Sequence, residues 1–234
     1  EEMDVPFDVL MKQAIDLKSA QLAENRRLYD SWKPWYRNSL FSREDVIAIR
    51  KVDDFNAKLA FVNDCRARGN DFFRTEDYIS AIVEYDRALS VWDWVESVLS
   101  DWKRQAIEDK DLRQLSFEAG SEEEERAVRE SKVMILLNLT LCYSKNLQYS
   151  DAIAACDEVL EKLDPNNVKA LYRRAMARVT PKNSGTTEHL LALSDLKRAV
   201  ELCQSTNNTT DSNYMAIVKS YEKLQRDIFL MRQS

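Results

Sequence analysis

The sequence predicts an all-α protein, a superhelix of three stacked helix-turn-helix units with added helices before the first unit and a capping helix after the last. Three observations carry this. First, the stretch from Arg66 to Ala88 places small and aromatic residues where two packed helices need them. Gly69 and Ala81 let the backbones approach, Phe72, Tyr85 and Ala88 fill the seam, and Thr75 to Asp77 supply a polar turn. Second, the same offsets recur. Leu139, Thr140 and Tyr143 take the first-helix places of a second unit and Ala152, Cys156 and Val159 the second-helix places; Ala175, then Ala192, Leu196 and Ala199, repeat the pattern in a third. Third, three glycines and four prolines in 234 residues leave few helix breakers, while a 44% apolar content suffices for a core.

Taken in order, residues 1–56 form a helical extension. Phe7, Leu10, Met11, Ala14, Ile15 and Leu17 make a helical stripe, Lys33-Pro34 breaks it, and Ser42 with Asp45 marks a new start. These helices are expected to cap the exposed end of the stack. The repeat domain covers residues 57–234. Its first unit, about 57–111, has an overlong second helix, because Val91, Trp92, Trp94, Val95, Val98, Leu99 and Trp102 continue the apolar spacing, with the tryptophans packing against the N-terminal helices. Residues 112–120 read as a linker. The second unit, about 121–165, opens on a capping box of Ser121 and Glu124, with Glu122 to Glu125 complementing the helix dipole, and closes at Asp164-Pro165-Asn166-Asn167. The third, about 167–205, contains a long loop from Pro181 to Thr187. A capping helix, about 213–232, carries Met215, Ile217, Val218, Tyr221, Leu224, Ile228 and Leu230, with Lys219, Lys223 and Arg226 on its outer face.

Charge and motif content exclude several functions. A net charge of −6, a pI near 5.1 and no basic stripe with interleaved aromatics disfavour nucleic acid. No apolar run is long enough to span a membrane, and Glu1-Glu2-Met3-Asp4 is not a signal peptide, so a cytoplasmic or nuclear location is expected. Cys65, Cys142, Cys156 and Cys203 fall at packing positions without metal-ligand spacing and read as reduced core thiols. The sequons at Asn138 and at Asn207-Asn208-Thr209-Thr210 carry little weight without a secretory route. His189 has no cysteine or carboxylate partner at catalytic or ligand spacing and reads as a surface or cap residue. No catalytic constellation, metal site or cofactor is expected, and no oligomeric state is readable.

The register of Gly69, Tyr85 and Ala88 and its two recurrences resembles the tetratricopeptide repeat. This implies a right-handed superhelix whose first helices line a concave groove. Residues one step off the packing stripe then face that groove: Arg66 and Asn70 in the first unit, Asn138 in the second, Lys169 and Arg173 in the third. Asn138 stands out, since it interrupts the apolar run from Val133 to Cys142 and asparagine is a poor interior helix former. Arg66/Asn70 and Lys169/Arg173 are each spaced i, i+4, on one helix face.

Amide and cationic donors converging on a groove suit a carboxylate, which accepts charge-assisted hydrogen bonds at both oxygens. The set is similar to the dicarboxylate clamp of tetratricopeptide co-chaperones, with Arg66 where the family has lysine. The resemblance implies a partner: the Glu-Glu-Val-Asp C-terminal tail of heat-shock protein 90 or 70. It also implies apolar contacts from Phe73 and Leu141 and reach to an upstream glutamate from Lys145. The planar Arg66 fork favours bidentate pairing over the point charge of lysine. Two other readings remain. The groove could hold an internal segment of another protein or the chain's own N-terminal helices. Alternatively, since residues 57–234 are similar to the C-terminal repeat region of large immunophilins, the chain could be part of a longer prolyl isomerase.

Overall fold

The computed structural model describes residues 6–104, 107–206 and 212–231. Four helices precede the repeats: α1 (Phe7–Asn25), α2 (Arg27–Ser31), α3 (Pro34–Ser39) and α4 (Glu44–Arg50). The first hairpin is α5 (Phe55–Arg74) with α6 (Tyr78–Trp92), followed by the strands β1 (Asp93–Ser97) and β2 (Leu112–Ser116). The second pairs α7 (Glu122–Lys145) with α8 (Tyr149–Glu158), which runs into a π-turn over Val159–Leu163. The third is α9 (Val168–Val179) with α10 (Thr186–Ser205), and α11 (Ser212–Met231) packs on α10.

Local chemistry starts these helices where the sequence signals it. Asp54, Asp77 and Asn167 each accept a main-chain N–H in the first turns of α5, α6 and α9. Ser121 accepts the Glu124 N–H, while the Glu124 carboxylate reaches back to the Gly120 N–H rather than to Ser121, one residue further than the standard box. Glu76 and Leu147 take left-handed backbone at φ 62° and 61° in the two matching hairpin turns, between α5 and α6 and between α7 and α8.

Ala81, Ala88, Ala152, Ala175, Ala192, Leu196 and Ala199 are inaccessible, as the spacing requires, but Phe72 is not the seam residue expected: it is 37% exposed, and the buried Tyr85 ring fills the seam instead. Gly69 is where the first hairpin closes most tightly, because a Cβ there would lie 2.6 Å from the Tyr85 ring. Buried ion pairs tie neighbouring helices together. Arg174 on α9 bridges Asp157 on α8 and Asp195 on α10, and Arg87 on α6 binds Glu84 and Asp45. The four cysteines are buried and unbridged, and burial pushes Cys65, Cys142 and Cys156 up to about 11, 12 and 11.

Several expectations are corrected. The second helix of the first unit is not overlong: it ends at Trp92, and the chain turns into an antiparallel ribbon pairing Asp93 with Ser116 and Ser97 with Leu112. The segment read as a linker at 112–120 therefore supplies a strand. Trp92 anchors this exit against Phe55 and Phe117, and the Val95 N–H is capped by Ser39 of α3. Of the other two tryptophans, Trp94 meets α4 under Arg50, while Trp102 lies edge-on to Phe41 in the turn between α3 and α4.

The capping role assigned to the whole extension holds only for part of it. Helices α3 and α4 pack on α6, whereas α1 exposes Phe7, Leu10, Met11, Ile15 and Leu17. The long loop ends two residues sooner than expected, at Gly185. His189 is buried, its ring Nδ1 2.9 Å from the Gly185 carbonyl, rather than on the surface. Glu1–Asp4, Asn207–Thr210 and Arg232 lie outside the described residues.

Candidate functional site

Helices α5, α7 and α9 are the first helices of the three hairpins, and five of the sequence-selected residues sit along their adjoining faces. Asn70 on α5 and Asn138 on α7 are directly bonded, with the Asn138 side-chain nitrogen donating to Asn70 Oδ1 at 3.1 Å. The same oxygen accepts the Tyr85 hydroxyl at 2.7 Å. An amide oxygen offers two lone pairs, so these donors fill it. The Asn70 NH2 group remains as the donor available to a ligand. Burial pushes the Tyr85 phenol up to about 12, against smaller opposing effects from Asn138 and Arg66, so the hydroxyl keeps the proton it donates.

Arg66 lies one turn before Asn70, its guanidinium 3.7 Å from the Met134 sulfur on α7 and 3.4 Å from Asn63 Oδ1. Its Nε is buried without a partner among the described residues. Arg173 reaches from α9 to α7 and donates to the Leu137 carbonyl beside Asn138. Burial lowers the Arg173 guanidinium from its ordinary value, partly offset by Cys156. Lys169, one turn earlier on α9, is exposed. Leu141, Lys169 and Arg173 line a common cavity of about 260 Å³ between α7, α9 and α11.

Phe73, three residues after Asn70 on α5, is half-buried and stacks edge-on against Tyr78, 5.5 Å between centroids. Lys145 is exposed at the last residue of α7 and makes no ion pair among the described residues. Sequence reasoning missed the Tyr85 hydroxyl, Met134, and Asn213, Ala216 and Ile217 of α11. Tyr85 was legible as a seam aromatic, and the polar end of a buried tyrosine is itself a signal for a nearby acceptor. The α11 residues lie forty or more positions downstream, beyond any local pattern.

The basic residues of α9 divide sharply by partner. Arg174 and Arg178 are bound to carboxylates, Asp157, Asp195 and Glu188 among them. Lys169 and Arg173 are bound to none among the described residues, and the same holds for Arg66 on α5. On α9 the cations in the packing layer, Arg174 and Arg178, are neutralised by the protein. Those along the α5–α7–α9 face are left with positive charge uncompensated.

Comparison with solved structures places the architecture. The C-terminal TPR-containing domain of an FK506-binding protein from Plasmodium falciparum superposes with a TM-score of 0.56 at 24% identity, over 80% of this chain and 99% of that domain. The chain has the tetratricopeptide-repeat fold. Its three hairpins are the repeats, and the ribbon of β1 and β2 is inserted between the first and second. The TPR2B domain of yeast Sti1, solved in complex with an Hsp70 peptide, gives a TM-score of 0.47 at 21% identity over 72% of this chain and 98% of that one, too loose a superposition to argue from. In sequence, the chain is 29% identical over 148 residues to peptidyl-prolyl cis-trans isomerase FKBP4 of Mus musculus. That match takes in 63% of this chain and 26% of the relative, so the chain spans about a quarter of the length of that protein. No family model matches the chain. Among the described residues no helix is long and apolar enough to cross a membrane.

Proposed function

We propose that the tetratricopeptide-repeat chain is a non-enzymatic protein-interaction module, a co-chaperone element that grips the acidic C-terminal tail of heat-shock protein 90 or 70. The observation that carries this reading is the uncompensated charge of Arg66, Lys169 and Arg173 on either side of the bonded pair Asn70–Asn138. In this clamp the amide NH2 groups and the cations donate to the terminal carboxylate and to an adjacent acidic side chain, each bond strengthened by the ligand's charge. Leu141 and Phe73 supply apolar contact, and Lys145 meets an upstream glutamate. The protein is assigned to the cytoplasm, with the nucleus as a second location.

The test is a calorimetric titration with a Glu-Glu-Val-Asp peptide as free acid and as C-terminal amide. Extended peptides lose entropy on binding, so the free acid is expected near a micromolar Kd, about −8 kcal/mol. The amide is expected to bind at least about tenfold more weakly, equivalent to about 1.4 kcal/mol. Equal affinity for the two forms sinks the clamp.

The likeness to FKBP4 favours a second, compatible reading: the repeats belong to a longer protein with a prolyl isomerase domain. An isomerase assay on the full gene product tests it, and inactivity there rejects it.

The reading in which the groove holds the chain's own N-terminal helices draws less support. Helices α3 and α4 pack on α6, and no residue of α1 to α4 lines the cavity between α7, α9 and α11.

A further inference from the structure

Arg50 closes the junction between the N-terminal helices and the first repeat. Its guanidinium donates from Nε to the Ser90 carbonyl of α6 at 2.7 Å and from Nη2 to the Ser42 hydroxyl at 2.6 Å, and it lies 5.0 Å from the centre of the Trp94 ring of β1. It is half-buried and forms no ion pair with a carboxylate among the described residues. Burial pulls it from its ordinary value down to about 10, against a weaker opposing effect from Glu96. A desolvated cation, fixed in direction and lacking a counter-charge, is costly to keep unless an anion meets it. Ser42, the residue it points to, borders a cavity of about 330 Å³ that Arg43 and Arg87 also line. Ser42 is half-buried in the turn between α3 and α4, whereas Phe41, Arg43, Glu44 and Asp45 around it are exposed.

We propose that Ser42 is a phosphorylation site whose phosphate is received by the Arg50 guanidinium. This goes beyond the clamp reading and does not depend on it. In the step, Ser42 Oγ attacks the γ-phosphorus of ATP, the bond from that phosphorus to the β,γ-bridging oxygen breaks, ADP leaves, and the hydroxyl proton passes to the base of a protein kinase. Glu44 and Asp45, just downstream, suit a kinase with a basic substrate cleft. The phosphate brings roughly two negative charges and acceptor oxygens that match the planar arginine fork. Arg87 is already paired with Glu84 and Asp45, so Arg50 and Arg43 are the cations left to it, and the adjoining cavity, with Asp86 on its wall, gives it room. The hydroxyl proton given up is the one bonded to the Ser39 carbonyl, and the turn keeps a bond there because the Ser42 N–H donates to the same carbonyl at 3.1 Å. Since Arg50 also holds Ser90 and Trp94, the modification locks α4 onto α6 and β1.

The experiment incubates the whole chain with an acid-directed serine kinase and ATP and maps the phosphate residue by residue with mass spectrometry; in parallel, phosphoserine is encoded genetically at position 42. Phosphate is expected at Ser42, with a Tm at least about 3 °C above that of the unmodified chain, as one added charge-assisted contact implies at this chain length. By phosphorus NMR, the second ionisation of the phosphate should lie below its usual value of about 6 in the folded chain and return to it in urea. Arg50→Gln should cancel the Tm gain, measured against its own unmodified form. No phosphate at Ser42 after kinase treatment overturns the modification. A phosphate that titrates alike in the folded and unfolded chain, or a Tm gain that Arg50→Gln leaves unchanged, overturns the role of Arg50 and the proposal with it. Should Arg50→Gln fail to fold, the comparison of folded with urea-unfolded wild type decides alone.

Discussion

Gly69→Ala tests the closure of the first repeat and its link to the candidate site. The added Cβ would lie 2.6 Å from Tyr85 Cε1 and 2.9 Å from both Cδ1 and Cζ, all well inside van der Waals contact. The Tyr85 ring is 1% exposed and its hydroxyl is committed to Asn70, so it has no free direction in which to yield. Overpacking of this kind costs about 1–3 kcal/mol, and losing the Tyr85–Asn70 bond adds about 1 kcal/mol. Alanine returns about 1 kcal/mol of helix propensity. The net loss is roughly 1–3 kcal/mol, and for a chain of this size that lowers Tm by roughly 3–10 °C. Thermal unfolding followed by circular dichroism measures it. Because Tyr85 helps hold the Asn70 amide, the variant should also bind an acidic-tail peptide more weakly at a temperature where it is fully folded. A variant as stable as wild type, or more so, would refute the close approach of α5 and α6 at this point.

Two further outcomes follow from the same geometry. Lys169→Ala and Arg173→Ala should each weaken binding of an acidic-tail peptide at least about tenfold with helix content unchanged, because removing a charge-assisted donor costs about 1.5–3 kcal/mol; retained affinity in both variants would remove these residues from the site. The second concerns pH. Asp86 on α6 accepts the Asn38 amide at 2.6 Å through one oxygen, and its other oxygen is buried without a partner among the described residues. Burial, aided by Asp151, pushes this carboxyl up to about 7 against the opposing Asn38 bond. The folded state thus holds the Asp86 proton more tightly than the unfolded chain. The stability from this group is complete below the ordinary carboxylate range and lost as pH rises through about 7. Tm should accordingly fall between about pH 4 and about pH 7, and Asp86→Asn should flatten that part of the profile; an unchanged profile in the variant contradicts the assignment.

The repeats were legible because small and aromatic residues at helical spacing leave one way to pack, as Gly69 against Tyr85 shows. The ribbon was not. Val91 to Trp102 is rich in β-branched and aromatic residues that suit a strand as well as a buried helix, and what decides between them is pairing with Leu112–Ser116, which no local period reveals. The apolar stripe of α1 shows the converse. Its spacing marks a helix but says nothing of a partner, and the helix stands exposed. At the candidate site, Arg66, Asn70, Asn138, Lys169 and Arg173 could be chosen because they depart from the packing register. The bond between the two asparagines and the contribution of α11 depend on tertiary neighbours and could not be read in advance.

The central claim is that Asn70 and Asn138, flanked by uncompensated cations, receive the anionic end of another chain. The most direct measurement follows the side-chain amide NMR signals of these two asparagines during titration with a free-acid tail peptide and with its amidated counterpart. Shifts of both signals that saturate with the free acid and are largely lost with the amide are predicted. Shifts confined to other residues, or identical with the two peptides, would contradict the account.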